Sequence, residues 1–435
     1  MDPRKPAPHG PHLMLFDLYA GGHHGHHIEQ MVKYWARRGL PGRLSIVVPG
    51  SFLEKHPALP SLVEAADTER IALIPIRERV RIDLPGPFRL LRNDREHGRL
   101  LRRYVRMLRP DHCLLMYFDH VQLSLALDLR FDFPVRFSGI YFRPTFHYHT
   151  LGGASPDPKE KVRGFRKKVV LAAALRNPHF LNLFCFDPFV VPHVRKLAPK
   201  ARAVALPDGI ERTPPVRSPE AIRTELGVEP GRKVALMFGV LDERKGILAL
   251  LDALAHVPET AAARLCVVLA GAVAEREAAQ VYASIQRLRE TTRLQIVLRD
   301  AFVPEEEIQD LFRASDLALL PYVRHVGSSG VLVRAAAEGT PVVGSGYGIL
   351  GEHIRRRRLG LAVDTTDPKA LAEALVLALT RPDALPFDAG EAERFARENT
   401  IERFLETLLG HMDVPTAPRT TDRDPTDASG TTLLP

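Results

Sequence analysis

Cysteine is scarce. Cys113, Cys185 and Cys266 are the only three in 435 residues, each inside an apolar run and none at CxxC spacing. That excludes a disulfide framework and a cysteine zinc site, and it fits buried thiols in a reducing compartment. Long apolar runs are also missing. No stretch reaches the roughly 18 uninterrupted apolar residues that a spanning helix needs. After MDPRKPAPHG, the segment LMLFDLY is short and interrupted by Asp17, unlike the apolar centre of a secretory leader. The basic residues are not interleaved with a stacking platform of aromatics, which argues against nucleic acid as a partner. No pair of carboxylates stands out for acid/base work.

What is present is a sizeable apolar fraction, 45% of the chain, enough to bury two cores. The formal net charge is +8, and the last 23 residues hold four Asp against two Arg, so the folded body is more basic still. Such a body favours anionic partners: nucleotide phosphates, lipid headgroups or acidic surfaces. The expected location is the cytoplasm, with peripheral contact at the inner face of a membrane. The oligomeric state is not legible.

Short apolar runs alternate with helical patterns, the signature of a doubly wound α/β fold with parallel sheets. HLMLFDLYA reads as a first strand and enters GGHHGHHIEQMVKYWARRG, a glycine turn at Gly21 and Gly22 followed by a helix. A glycine loop between strand and helix offers backbone N–H groups to an anion, although this one lacks a full dinucleotide fingerprint. His23 and His27 are four apart, but the turn between them is broken by glycine and Glu29 is badly placed as a third ligand. No metal site is expected. Contact of these histidines with a phosphate or sugar is the better reading.

Further along, HCLLMYFDH ends in Asp119 and His120, at the carboxyl end of a strand, where open α/β sheets place chemistry. Asp119 is expected either to cap the helix beginning at Val121 or to work with His120. A loop with Arg143, His147 and His149 follows the next strand. Residues 159–176, KEKVRGFRKKVVLAAALR, hold seven basic residues around an apolar patch, a pattern of solvated helix faces and of helices on anionic membranes. After a Pro-rich stretch the pattern restarts at KVALMFGVLDERKG, which places Gly239 and Lys245 at a glycine turn. LQIVLRDAFVPEEEIQDLFRASD supplies strand, loop and helix. SDLALLPYV and HVGSSGVLVRAAAEGTPVV then give strand, loop, helix and strand, in which Gly327, Ser328, Ser329 and Gly330 open a helix. A phosphate at such a helix start gains roughly 0.3 to 2 kcal/mol.

In order and spacing, GGHHGHH (21–27), ALPDGI (205–210), FGVLDERKG (238–246), DAFVPEEEIQDLFRASDLALLPY (300–322) and GSSGVLVRAAAEGTPVV (327–343) resemble the GT-B glycosyltransferases, and among them the large retaining family that uses nucleotide-diphosphate sugars. The resemblance covers most of residues 12–410. It implies two facing Rossmann-like domains: residues 1–210 on the acceptor side, a linker at 211–230, a donor domain at 231–385, a final helix within 386–412 returning to the first domain, and a disordered tail at 413–435. It implies a nucleotide-sugar co-substrate and no required cofactor or metal. Phosphate binding falls on Gly21, Gly22, Gly239, Lys245, His325, Gly327, Ser328, Ser329, Gly330 and Arg334. Asp119 and His120 take the catalytic positions, and His24, Arg143 and His147 face the acceptor.

Two departures stand out. The family carries two glutamates where this chain has Val326 and Arg334, and an arginine where it has Val240. His325, Glu338 or Arg334 is left to substitute, or the donor differs, or activity is lost. A degenerate sugar-nucleotide-binding protein and a sugar-nucleotide epimerase therefore stand as alternatives. The nucleotide, the sugar and the acceptor (polysaccharide, lipid-linked or small molecule) are not specified.

Overall fold

The computed structural model describes residues 10–19, 21, 24–66, 69–78, 80, 89–127, 131–151, 158–213, 216–412 and 414. Gly22, His23, the His24 side chain and the tail beyond Val414 lie outside them, so the readings made there have no structural counterpart.

The valine- and leucine-rich runs form two parallel sheets. The first contains β1 (His12–Phe16), β2 (Arg43–Pro49), β3 (Ile71–Ile76), β4 (His112–Leu115), β5 (Arg136–Tyr141), β6 (Phe180–Cys185) and β7 (Arg202–Ala205), in the order β3-β2-β1-β4-β5-β6-β7. The second contains β8 (Lys233–Phe238), β9 (Leu265–Ala270), β10 (Gln295–Arg299), β11 (Leu317–Leu320), β12 (Val342–Ser345) and β13 (Gly360–Val363), in the order β10-β9-β8-β11-β12-β13. These strands are nearly continuous apolar runs because helices cover both faces of each sheet. In the first domain, Leu101, Phe137 and Leu171 fill one layer and Ile28, Trp35 and Phe404 the other. In the second, Leu250, Ile285 and Leu375 face one side, and Phe312, Leu332 and Phe395 the other.

Strand order reverses between β1 and β4 in the first sheet and between β8 and β11 in the second. In open α/β sheets such switch points open a crevice at the carboxyl ends of the strands. The turns after β1, β4, β8 and β11 are those carrying Gly21, Asp119, Lys245 and the His325–Gly330 loop.

The segment read as a linker is partly built into the second domain. Helix Pro219–Glu225 is capped by Ser218, whose side chain accepts from the Ala221 N–H, and Ile222 is buried in the second core. The pattern read as one final helix is two: Ala389–Glu398 packs in the second domain and Ile401–Gly410 in the first. The break falls where Asn399 and Thr400 prefer caps over helix interiors. Thr400 starts the new helix by accepting from the Arg403 N–H. The helix Gly348–Arg356 and strand β13 complete the second domain. Among the described residues, no helix is long and apolar enough to cross a membrane.

Candidate active site

The second-domain half of the crevice is set by two turns. Gly246 precedes helix Ile247–Leu254 at φ 81°, and a Cβ there would sit 1.9 Å from the Pro321 carbonyl oxygen, so only glycine lets the β8 turn close on the end of β11. That closeness brings Lys245 to Tyr322. The Lys245 ammonium donates to the phenol oxygen at 2.6 Å and lies over the ring, 4.5 Å from its centroid. The Tyr322 hydroxyl is in turn 3.3 Å from Ser329 Oγ. Asp242 fixes the turn by accepting from the Lys245 N–H at 2.7 Å. Gly239 lies beside the ammonium, since a Cβ on it would be 3.3 Å from Lys245 Nζ.

Ser329 caps helix Gly330–Ala337, its side chain accepting from the Leu332 N–H. The start of this helix, with its positive dipole end, stands beside Lys245. His325 packs edge-on against Tyr322, with Nε2 3.2 Å from the Ser328 carbonyl and Nδ1 3.4 Å from Arg244. Burial pushes its imidazole down to about 4, so it is neutral at pH 7 and serves as a hydrogen-bonding group rather than a charge.

The first domain supplies the facing wall. Tyr148 reaches across, its hydroxyl accepting from the Gly327 N–H at 3.2 Å. With Leu151 it joins Ile349, Val326 and Tyr347 in an apolar contact between the domains. Asp208 stands at the turn leaving the first domain. Burial raises its carboxyl to about 6, against a hydrogen bond with Ser328. Asp119 is also raised to about 6 by burial, opposed by the backbone N–H groups of Phe142 and Arg143, which donate to it at 2.9 and 3.1 Å. It therefore ties the end of β4 to the end of β5 and does not cap the helix after Val121. His120 sits among the rings of Tyr19, Tyr117 and His97. Arg143 is exposed, close enough to His325 for its charge to be felt there.

Three residues do not lie where the sequence suggested. His147 is fully buried, with Nε2 2.8 Å from Asp187, so it faces the domain interior and not an acceptor. Arg334 pairs with Glu305 of the neighbouring helix, so a carboxylate balances its charge where the sequence left it free for a phosphate. Glu338 accepts from Arg313 at 2.7 Å and Gln309 at 2.8 Å, a brace between helices that engages both of its carboxylate oxygens. Val240, at the family's arginine position, is 53% exposed. Gly21 follows β1 at the other switch point, beside the Tyr19 ring, and His26 in the adjoining helix feels the charges of Glu305 and Arg334 across the crevice. Tyr322 and Tyr148 were missed by sequence reasoning. Tyr322 had a signal, since it ends the apolar run of β11 just before the loop; Tyr148, from the other domain, had none. Among the described residues no cluster of His, Cys, Asp and Glu is suited to a metal ion.

The family model for Glycosyl transferases group 1 matches residues 232–381, the second sheet and its helices. Among curated proteins, the D-inositol 3-phosphate glycosyltransferase of Rhodococcus opacus is 31% identical over 44% of this chain and 43% of its own. That of Corynebacterium urealyticum is 30% identical over 50% of this chain and 53% of its own. The chain thus spans about half the length of the curated relatives it matches. Among solved structures, sucrose-phosphate synthase from Thermosynechococcus elongatus superposes with a TM-score of 0.65 at 17% identity, covering 92% of this chain and 97% of that one. Anabaena HepE in complex with UDP gives 0.63 at 15% identity, covering 92% and 99%. At such identities the likeness is one of fold.

Proposed function

From a GT-B glycosyltransferase fold whose second domain matches the group 1 family, we propose that this chain transfers a sugar from a nucleotide-diphosphate sugar to an acceptor, with retention at the anomeric carbon. The observation that carries the reading is the meeting of Lys245, Tyr322 and the capped helix start at Ser329 at the switch point of the second sheet. A diphosphate seated there would meet one ammonium and the backbone N–H groups of residues 328–330. Charge grows on the diphosphate as the glycosidic bond breaks, so these prearranged donors act on the transition state. Loss of one such donor typically raises a barrier by about 2.7 to 4 kcal/mol. Asp119 and His120, at the switch point of the first sheet, lie on the side where the sugar and acceptor hydroxyl would meet. UDP is the first nucleotide to try, because the HepE structure of like fold holds it. The acceptor side belongs to the first domain, and peripheral contact with the inner face of a membrane is part of the same reading.

A thermal-shift panel of UDP, GDP, ADP and their sugar conjugates tests it. A ligand at 100 times its dissociation constant adds about 2.7 kcal/mol of stability. Stabilisation by one nucleotide, lost in Lys245→Ala, supports the donor site. If no nucleotide shifts the wild type, the transferase reading falls.

A degenerate binding protein is the second reading. It is favoured by Val326 and Arg334 where the family has glutamates, and by the engagement of Arg334 with Glu305. Turnover of the stabilising sugar nucleotide, by transfer or hydrolysis, separates the two.

A further inference from the structure

Helix Pro158–Leu175 has two apolar faces, and among the described residues only one is packed. Leu171, Ala174 and Leu175 are buried in the first domain's core. Val162, Phe165 and Val169 recur at three- and four-residue spacing on the opposite side, and they are 70%, 70% and 51% exposed. A lone exposed Leu or Val is ordinary, but an aromatic and two valines aligned along one exposed stripe form a patch that water does not favour. Basic side chains border it: Lys161 and Lys168 on one edge, Lys159, Arg163 and Arg166 on the other, with Glu160 the one acid on the helix. An apolar stripe edged by lysine and arginine is the profile of a helix lying in the headgroup layer of an anionic bilayer.

The surroundings extend the same charge. The short helix Gln122–Ala126 packs against this helix, and on its far side lies helix Arg89–Leu108, which exposes Arg95, Arg102 and Arg106. Leu127, at the end of the short helix between them, is 71% exposed. The surface is also joined to the crevice. Lys167 donates to Thr145 Oγ1 at 2.7 Å and Lys168 lies over the Phe146 ring, in the segment whose Tyr148 holds Gly327. Glu160, in the helix's first turn, is near enough to Tyr347 of the second domain to affect its hydroxyl.

We propose that the outward face of helix Pro158–Leu175 docks on an anionic lipid bilayer, with Val162, Phe165 and Val169 in the headgroup and acyl boundary and the flanking lysines and arginines on lipid phosphates. The crevice then opens close to the membrane surface, where a lipid-borne acceptor is at hand. That last consequence rests on the transferase reading; the docking itself does not.

The test is flotation of the full chain with phosphatidylcholine vesicles and with mixed phosphatidylcholine and phosphatidylglycerol vesicles. The wild type is expected to bind the mixed vesicles at least about tenfold better, and salt should weaken the binding. Val162→Ser/Phe165→Ser should lose most of the binding, and Lys161→Gln or Arg166→Gln about fivefold each. Both kinds of variant should keep the wild-type melting temperature and its shift with UDP. Equal binding to the two vesicle types, no binding, or variants that float like the wild type would each overturn the proposal. So would light scattering that shows Val162→Ser/Phe165→Ser turning a dimer into a monomer, since the stripe would then belong to a second copy. If flotation holds while no nucleotide shifts the melting temperature, the donor reading fails and the docking stands.

Discussion

The backbone N–H of Asp208 donates to the side-chain oxygen of Asn399 at 3.0 Å across 191 residues of sequence. The Asn399 carbonyl accepts from the Ile210 N–H, and Ile210 and Thr400 form an isolated parallel bridge. The chain's outbound and return passages between the domains are thus bonded to each other. Asn399→Ala deletes the bond to Asp208 and the one its amide makes to the Phe395 carbonyl. With each net bond near 1 kcal/mol, the loss should be about 1 to 2 kcal/mol. A lowered thermal midpoint, without loss of helix content in the native state, is the expected reading; an unchanged midpoint would show that the bridge at Ile210 suffices.

Asp208 carries its own pH signature. Its carboxyl is raised to about 6 in the folded chain, mainly by burial. The folded state therefore keeps a proton that the unfolded chain releases near pH 3.8. That contribution to stability is complete below about 3.8 and is lost as pH rises through 6. Asp208→Asn should accordingly stabilise the protein at pH 8, by roughly 1 kcal/mol after allowance for solvent, and have little effect at pH 4. The ionised carboxyl also stands beside Ser328, where an anion would bind. Nucleotide affinity should fall more steeply above pH 6 in the wild type than in Asp208→Asn, with the ligand's own titration common to both. Parallel affinity profiles in calorimetry would refute this placement.

Tyr322 links Lys245 to the helix cap. Tyr322→Phe keeps the ring beneath the ammonium and removes the hydroxyl that connects Lys245 to Ser329. Lys245→Ala removes the charge outright. On the transferase reading proposed above, the expected order is a fall in kcat/KM of about 10²- to 10³-fold for Lys245→Ala and about tenfold for Tyr322→Phe. Equal effects of the two substitutions would mean that the hydroxyl, and not the ammonium, meets the phosphate.

Arg334 and Glu305 offer a charge exchange. Arg334→Glu puts an acid where the resembled family has one but sets it against Glu305, so it should destabilise the chain by about 1 to 3 kcal/mol. Adding Glu305→Arg should recover most of that loss. If the double variant is no more stable than Arg334→Glu alone, the pair does not account for the arginine.

The parallel sheets were legible because apolar runs alternate with helical periods, a local property. The glycine turn at Lys245 and the helix opening at 327–330 were legible for the same reason: turn and helix-start residues act on their own backbone. Long-range partnerships were not. Nothing near His147 in sequence announces Asp187, and nothing near Arg334 announces Glu305. Asp119 was read as a local cap because a carboxylate before a helix usually is one; here the end of β5 offers two backbone N–H groups instead. The split at Asn399 was masked by apolar residues that keep a helical period through the break while changing the domain they face.

That change of partner sets an order of assembly. The layer containing Ile28, Trp35 and Leu59 is closed by Ile401, Phe404, Leu405 and Leu408. The first domain therefore lacks one wall of its core until residues 401–408 have been made. Among the described residues, the core of the second domain takes nothing from beyond Glu398, so that domain can mature while the first still waits. A ribosome-bound chain ending before Ile401 would expose a greasy flank on its older half, and that flank is where a chaperone would be most wanted.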